Sequence, residues 1–193
     1  MQILETNRII LREFCLDDVD ALSIVLSDAE TMRFYPSPYD RAGVETWITR
    51  NMSRYAKDGH GLWAMILKTS GELIGDCGPT VQEVDGTNEV ELGYHLRRDR
   101  WGRGLATEAV CACRDLVFER LAVDHIISLI RPENLPSRRV AERVGMKVWK
   151  DVVWRNLPHM VYRLDRSKVS AKDEPHYTPP RDLRFTRSRA DTK

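Results

Sequence analysis

The chain has 193 residues, a net charge of +1, 42% hydrophobic residues and 31% charged residues, values typical of a globular domain with a sizeable core. The near-neutral charge excludes a strong general attraction to nucleic acid. No apolar run reaches the roughly 18 residues of a membrane span and no signal-peptide pattern opens the chain, so we expect a cytoplasmic protein without membrane contact.

Hydrophobic periodicity in the first half of the chain predicts two amphipathic helices and four short strands. Asp17 has the position of an N-cap before a helix whose apolar residues recur from 19 to 26. A second helix fits the apolar positions between 44 and 55. A turn at Asp85-Gly86 precedes the last of the four strands, which alternates in polarity. The predicted strands cover residues 8–12, 62–67, 73–77 and 89–96.

The second half of the chain alternates helices with strands. The predicted helices are 105–120 and 137–144, and the predicted strands are 125–130, 146–154 and 159–164. Consecutive strands mixed with crossover helices predict an α/β sheet that is mixed rather than purely parallel. The four cysteines lack metal-ligand spacing, so we expect free thiols and no metal site. Cys111 and Cys113 fall on the first of these helices, where we interpret them as buried rather than catalytic.

The last part of the chain has a different composition. Residues 166–193 contain eight Lys or Arg and four Asp or Glu, a net charge of +4, which leaves −3 for residues 1–165. Three prolines and no apolar periodicity accompany this charge. We therefore predict a domain over 1–165 and a basic, proline-containing tail over 166–193. A mobile or loosely docked tail and a basic arm that contacts RNA, a ribosome or a second subunit are the two interpretations.

A turn rich in glycine and arginine separates the predicted strand 89–96 from the helix 105–120. Glycines without a Cβ and the unpaired N–H groups of a helix N-terminus together form a cradle for an anion. Flanking arginines add side-chain contacts to phosphate. The alternative is a strand-to-helix turn that merely requires tight geometry. The spacing matches neither the P-loop nor the three-glycine dinucleotide motif.

Residues 90–110, VELGYHLRRDRWGRGLATEAV, resemble motif A of the GNAT acetyltransferases, whose Q/R-x-x-G-x-G/A segment binds the coenzyme A pyrophosphate. This segment maps to Trp101-x-x-Gly104-x-Ala106, with tryptophan replacing the usual Gln or Arg. The loop, the opening ETNRIILREFCLDDVDAL and the segment NLPSRRVAERVGM are similar to the Rim-type group, which acetylates the N-termini of ribosomal proteins. The resemblance covers roughly residues 5–165.

The resemblance implies a fold, a co-substrate and a set of binding residues. The implied fold is α/β (α+β), with a mixed, mostly antiparallel central sheet flanked by helices and a splayed strand pair at the acetyl-CoA site. The implied enzyme transfers an acetyl group from acetyl-CoA to a primary amine by direct attack in a ternary complex. The implied coenzyme-binding residues are Tyr94, His95, Leu96, Arg98, Trp101, Gly102, Arg103, Gly104, Leu105, Ala106, Thr107, Asn134 and Ser137.

Two catalytic residues are implied in the same way. Glu91 matches the position of a catalytic glutamate in some family members and is our candidate base. His95, on the same strand face, is the alternative base. The alternative interpretation of Glu91 itself is a carboxylate on a solvated strand face without a catalytic role. The tyrosine acid of many members falls on Ala141, so that acid is absent. Ser137 matches the serine proposed for this role in the Rim-type group, or it only bonds backbone in a first helical turn. Asn134 is expected to bind the pantetheine amide, with capping as its alternative.

The acceptor amine is the least determined part of the reaction. Residues 33–39 are aromatic and loop-like, and the resemblance places Phe34, Tyr35 and Tyr39 at the acceptor site. The preferred acceptor is a protein N-terminus, whose pKa of about 7.7–8.0 leaves it partly neutral at pH 7. A small amine (polyamine, aminoglycoside or amino acid) and a coenzyme A-binding protein with little catalysis are the alternatives. The domain charge of −3 mildly favours a cationic acceptor, and a homodimer is expected only by analogy.

Overall fold

One eight-stranded sheet is the central feature of residues 1–169 and 177–178, the part of the chain that the computed structural model describes. Its strands are β1 (Gln2–Glu5), β2 (Ile9–Arg12), β3 (Trp63–Leu67), β4 (Leu73–Val84), β5 (Thr87–Leu96), β6 (His125–Ile130), β7 (Lys147–Trp154) and β8 (Leu157–Asp165). They lie in the order β1-β2-β3-β4-β5-β6-β8-β7. The helices are α1 (Val19–Leu26), α2 (Arg41–Asp58), α3 (Leu105–Arg120) and α4 (Leu135–Arg143).

All neighbouring strands are antiparallel except β5 and β6, which are parallel because α3 crosses over between them. The parallel pair is joined at a single register position, Glu91 opposite Ile127. By contrast, β4 and β5 pair over ten positions. The predicted splayed pair is therefore confirmed, and so is the mixed, mostly antiparallel sheet.

The two faces of β5 contact different helices. Leu92 and Leu96 point into the core that includes most of the apolar residues of α3. His95, on the opposite face of the strand, lies edge-on against Trp47 of α2, with ring centroids 5.4 Å apart. Since side chains alternate along a strand, Glu91 shares the α2 face with His95. The sheet thus separates a face covered by α3 from a face covered by α2.

Helix ends follow the local chemistry of the sequence. Asp40 caps α2 by accepting a hydrogen bond from the Gly43 amide at 2.7 Å, and α3 has the predicted bounds. The prediction that Asp17 caps the first helix is wrong: a short 3₁₀ turn, Leu16–Asp18, precedes α1, and Asp18 is its N-cap residue. The Asp18 carboxylate is instead held by the Arg12 guanidinium at 2.6 Å.

Three further elements differ from the sequence predictions. The strand β1 has only four residues, too few for alternation to be visible. β4 has twelve residues instead of five, because the Asp85-Gly86 turn (φ 49° and 77°) supports a long hairpin despite Pro79 within it. α4 begins at Leu135, before the predicted start at residue 137. The hydrophobic pattern did not predict the full length of β4, because glycine and proline interrupt the pattern while pairing with neighbouring strands still extends the strand.

Part of the predicted tail contacts the domain. Arg166–Lys168 form a 3₁₀ turn. Tyr177 is buried beside α3, where its hydroxyl donates to Glu119, and Thr178 pairs with Glu5 at the end of β1. The rest of the predicted tail, 170–176 and 179–193, lies outside the described residues, so the boundary at 165 stays a prediction. Within the described residues no helix has the length and apolar character of a membrane span, and no cluster of side chains has the make-up of a metal site.

The cysteine predictions are confirmed for burial. Cys111 and Cys113 are buried, and none of the four cysteines forms a disulfide. Burial raises the pKa of the Cys77 thiol, whose sulfur lies 3.5 Å from that of Cys113. A buried thiol with a raised pKa is a poor nucleophile, which supports a structural role for this pair.

Candidate active site

A cavity of about 670 Å³ extends along β5 where that strand diverges from β6. Its walls include Glu91 and His95, which point to the α2 face of the sheet, and Leu92 and Tyr94, which point to the α3 face. Residues from α2, from the start of α3 and from α4 complete the lining. The divergence of the two strands therefore joins the two faces of the sheet in one cavity.

The glycine-rich turn lies at the end of the cavity beside the N-terminus of α3. Gly102 and Gly104 have φ values of 73° and 75°, the left-handed region that favours glycine. Gly104 is the N-cap residue of α3, so the first N–H groups of the helix, which have no partner within the helix, lie directly after it. Both glycines line the cavity. A backbone cradle of this kind fits a diphosphate.

Three residues outside the turn anchor it. Glu108, in the first turn of α3, accepts hydrogen bonds from the Thr6 hydroxyl at 2.6 Å and from the Arg8 backbone amide at 2.9 Å. The Arg8 guanidinium donates to Glu108 at 2.6 Å and to the Arg103 carbonyl oxygen at 2.9 Å. These bonds hold the start of α3 against the segment that precedes β2, which explains why a glutamate follows the glycine motif.

Trp101 has a positioning role in the same turn. Its indole N–H donates to the Leu96 carbonyl oxygen at 2.7 Å, and its ring packs against the core while lining the cavity. A tryptophan can thus replace the Gln or Arg of the common motif, because its contact here is to the end of β5.

The arginines of the turn mostly pair with carboxylates. Arg97 bonds Asp99 at 2.7 Å and Arg100 bonds Glu72 at 2.7 Å. Neither Arg98 nor Arg103 is among the lining residues, so their predicted contacts with the coenzyme stay predictions. Sequence reasoning missed two arginines of α4 that do line the cavity. Their spacing of four on a helix was the available signal; they are Arg139 and Arg143.

The start of α4 brings three cavity residues together. Asn134 caps the helix, with its side-chain oxygen accepting from the Ser137 amide at 3.2 Å. The Tyr94 hydroxyl donates to the Ser137 carbonyl oxygen at 2.8 Å. The capping alternative for Asn134 is therefore realised, and because the cap uses only the amide oxygen, it is compatible with a ligand on the nitrogen.

Glu91 lies in the cavity wall rather than on a solvated face. Its carboxylate accepts from the Thr80 hydroxyl at 3.3 Å and from the Leu129 backbone amide at 3.4 Å. Burial raises the pKa of Glu91 above the usual value of a glutamic acid. A raised pKa improves a carboxylate as a proton acceptor near neutral pH.

His95 lies at the centre of a hydrogen-bonded chain that the sequence did not reveal. Its Nδ1 is 2.7 Å from Asp76 Oδ1, and its Nε2 is 2.6 Å from the Tyr35 hydroxyl. Asp76 is fully buried and also accepts from the Trp47 indole N–H at 3.0 Å and from the His95 backbone amide. In the neutral ring this arrangement places Nδ1–H toward the carboxylate and lets Nε2 accept from the tyrosine hydroxyl, whereas in the protonated ring Nε2–H donates to the hydroxyl oxygen.

The same chain sets the protonation of His95. Burial alone would lower the pKa of His95, but the charge and hydrogen bond of Asp76 outweigh burial and raise it. Since the pKa is raised in the folded state, protonation of His95 favours folding. That contribution is complete below the usual histidine value of about 6.5 and disappears as the pH rises through the folded-state value.

Asp76→Asn is expected to lower the pKa of His95, because the negative charge beside Nδ1 is removed while the side chain keeps its size. An NMR titration of the imidazole resonances measures the shift directly. His60, whose Nδ1 lies 3.0 Å from the Pro79 carbonyl oxygen, serves as the internal control and should titrate as in the wild type. A wild-type pKa for His95 in the variant would contradict the role of Asp76.

The three aromatic residues predicted at the acceptor site all line the cavity. Tyr35 reaches His95, Tyr39 packs on Trp47 with ring centroids 5.4 Å apart, and the Arg33 guanidinium lies 4.7 Å from the centre of the Phe34 ring. They form the wall of the cavity on the α2 face, next to Glu91 and His95.

A family model for the acetyltransferase (GNAT) domain matches residues 8–147. The chain belongs to the GNAT acetyltransferases. This GNAT acetyltransferase is 34% identical to the uncharacterized protein YkkB of Bacillus subtilis (strain 168) over 162 residues, 82% of this chain and 93% of YkkB. It is 32% identical to the uncharacterized N-acetyltransferase p20 of Bacillus licheniformis over 150 residues, 76% of this chain and 83% of p20.

Solved GNAT structures have the same fold. The acetyltransferase from Agrobacterium tumefaciens str. C58 superimposes with a TM-score of 0.74 at 28% identity, over 86% of this chain and 95% of that one. Two coenzyme A complexes are similar in fold at lower identity. They are the aminoglycoside acetyltransferase AAC(6')-Ib (TM-score 0.68, 20% identity, 82% of this chain and 95% of that one) and RimL, a ribosomal L7/L12 alpha-N-protein acetyltransferase (TM-score 0.68, 13% identity, 86% and 98%).

The protein is therefore an acetyl-CoA-dependent GNAT acyltransferase with acetyl-CoA as its co-substrate. Of the residues that the sequence predicted for the site, all but Arg98 and Arg103 line the cavity. The sequence missed several others on the α2 face because their cavity position depends on distant parts of the chain. These are Arg50, Arg54 and Arg155.

Proposed function

We propose that this GNAT enzyme acetylates a primary amine, and in the first place the N-terminal amine of a protein, by direct attack in a ternary complex. The observation that carries the proposal is the shared cavity. It joins a glycine cradle at the start of α3 with Glu91 on the opposite face of the sheet. Within this cavity, donor and acceptor can meet where β5 and β6 diverge.

Each step can be assigned to residues of this cavity. The neutral amine attacks the thioester carbonyl carbon, a C–N bond forms, and the C–S bond breaks. Glu91 takes the proton that the nitrogen loses, with His95 as the alternative base. Ser137, in the first turn of α4, is the candidate that holds the coenzyme sulfur as it leaves as a thiolate. The thiolate takes a proton from solvent, and Glu91 returns to solvent the proton that it took from the nitrogen. The cradle of Gly102 and Gly104 binds the diphosphate.

An N-terminal amine suits this set of groups. Its pKa of about 7.7–8.0 leaves a fraction neutral at pH 7, whereas a lysine side chain near 10.4 requires stronger deprotonation. A single carboxylate with a raised pKa is sufficient for the weaker deprotonation that an N-terminal amine requires. The sequence similarity to the Rim-type group, and the fold shared with RimL, support the same acceptor. Cytoplasmic location, a homodimer and contact of the 166–193 segment with RNA or a ribosome stay predictions.

The second candidate acceptor is a small amine. The shared fold with the aminoglycoside acetyltransferase AAC(6')-Ib supports it, since one scaffold serves both substrate classes. Polycationic amines, however, would meet several arginines in the cavity, including Arg50 and Arg54, and like charges disfavour binding. Amino acids remain as the small-molecule alternative. A coenzyme A-binding protein with little catalysis is the third candidate, and the half-buried Glu91 with its raised pKa favours a catalyst instead.

A screen of acceptors tests the proposal. Purified enzyme and acetyl-CoA are incubated with N-terminal peptides, amino acids, polyamines and aminoglycosides, and free coenzyme A thiol and product mass are measured. We expect a peptide or amino acid to gain one acetyl group on its α-amine, with kcat/KM at least about tenfold above that of any polyamine. Efficient transfer to an aminoglycoside would replace the proposed acceptor. Absence of turnover on every amine, with acetyl-CoA bound, would favour the non-catalytic candidate.

A further inference from the structure

Three arginines line the cavity on the same face as Glu91. Arg50 and Arg54 are four residues apart on α2, so they project from one face of that helix. Arg155 lies in the turn between β7 and β8. Two elements that are distant in the chain therefore place guanidinium groups around one part of the cavity.

Two of the arginines, Arg54 and Arg155, are held there by contacts of the surrounding structure. The Trp154 indole donates to the Glu83 carbonyl oxygen at 3.1 Å, which docks the β7–β8 turn on β4, and the Arg155 guanidinium lies 4.2 Å from the centre of the Trp154 ring. Arg54 donates to the Asn51 side-chain oxygen at 3.2 Å. That oxygen also accepts from the Leu62 amide at 3.0 Å.

The three positive charges lack a carboxylate partner. Among the described residues none of the three lies within 4.0 Å of a carboxylate oxygen. Of the other cavity arginines, Arg33 is paired with Glu30 and Arg131 with Glu133, whereas the two on α4 have no such partner among the described residues. Burial and the neighbouring charge of Arg50, with a smaller contribution from Arg155, lower the pKa of Arg54, although the charges of Glu91 and Asp58 oppose this shift. Clustered like charges disfavour the empty site and favour an anion in it.

We infer that the acceptor carries a carboxylate, which Arg54 binds together with Arg50 and Arg155 while the amine lies toward Glu91. The inference rests on the proposed function and narrows its substrate class to anionic amines. The carboxylate belongs either to a free α-amino acid or to an acidic side chain near the N-terminus of a peptide. The net charge of residues 1–165 favoured a cationic acceptor, but the charge of the acceptor that binds depends on the side chains that face the cavity.

Calorimetry with matched ligands tests the inference without requiring transfer. The enzyme is saturated with coenzyme A and titrated with two pairs: leucine against leucinamide, and a peptide amide with Asp and Glu at its second and third positions against the same peptide with Asn and Gln. We expect the acidic ligand of one pair to bind about tenfold more tightly. The pair that discriminates identifies the source of the carboxylate. The preference should weaken with added salt.

Arginine variants provide the controls. In Arg54→Gln and Arg155→Gln the acidic preference is expected to fall to less than about threefold, since one charge-assisted contact is lost. Arg41→Gln is the matched control, because Arg41 lies on the same helix, outside the cavity and paired with Asp20 at 2.9 Å. It should keep the wild-type preference. Circular dichroism confirms that each variant is folded.

Three outcomes would overturn the inference. The first is that the wild type binds both ligands of each pair equally well. The second is that both cavity variants keep the preference for the acidic ligand. The third is that the variants bind coenzyme A more weakly but 3′-dephospho-coenzyme A as before, which would assign the arginines to the coenzyme phosphate. Because binding is measured in the absence of transfer, an enzyme that prefers acids yet acetylates no amine would refute the proposed function and not the anion site. Efficient acetylation of neutral amines, without tighter binding of the acidic ligands, would refute the anion site and not the proposed function.

Discussion

Gly104→Glu will abolish the thermal stabilisation that acetyl-CoA gives the folded enzyme. Gly104 is the N-cap of α3 with a φ of 75°, a conformation that other residues rarely adopt. A glutamate there places a negative charge where the helix N-terminus would bind the diphosphate. At about 100 times its Kd, acetyl-CoA should stabilise the wild type by about 2.7 kcal/mol. A thermal unfolding series with and without ligand measures the loss.

Gly71→Glu is the matched control for this experiment. Gly71 also has a left-handed φ, 70°, and a Cβ at that position would meet no atom within 4 Å. It lies in the turn between β3 and β4, outside the cavity. The backbone strain of the two substitutions is therefore similar, and only the site differs. If Gly104→Glu were stabilised by acetyl-CoA as strongly as Gly71→Glu, the glycine turn would not be the coenzyme cradle.

Glu91→Gln is expected to lower kcat about 100-fold at neutral pH, with little change in the Kd of acetyl-CoA. The substitution keeps the size of the side chain and its contact with the Thr80 hydroxyl but removes the proton acceptor, and a positioned base contributes about 10²–10⁴-fold to such reactions. Because burial raises the pKa of Glu91, activity in the wild type should rise with pH through that value. Steady-state rates between pH 5 and about 9 test both statements.

The pH profile separates Glu91 from the alternative base. In Glu91→Gln the acidic limb of the profile should disappear and the residual rate should follow only the ionisation of the amine. Glu83→Gln is the control: Glu83 is exposed on β4 and does not line the cavity, so we expect the wild-type profile. A Glu91→Gln enzyme that retains the limb would assign the base to His95, and Asp76→Asn would then move the limb.

The local predictions succeeded where one segment contains its own information. The apolar stripe of α3 and the glycines before it gave both the bounds of the helix and the turn that begins it. Asn134 was expected either to cap the helix or to bind ligand. Its capping bond to the Ser137 amide could be predicted because both residues lie in one turn. Arg98 illustrates the limit: the motif includes it, but its guanidinium lies 4.0 Å from the Asp28 carboxylate and is not part of the cavity wall.

The sequence by itself determined the glycine turn, which follows from local turn chemistry, and the family and co-substrate, which follow from the resemblance of three short motifs in their order. The tertiary structure alone decided which side chains share the cavity. Tyr35 meets His95 across 60 positions, and Asp76 meets it across 19. Arg155 joins Arg54 because Trp154 docks a distant turn on β4. Such contacts are set by strand order and helix packing, which no local pattern encodes, and they determine the charge and proton-transfer groups that the acceptor meets.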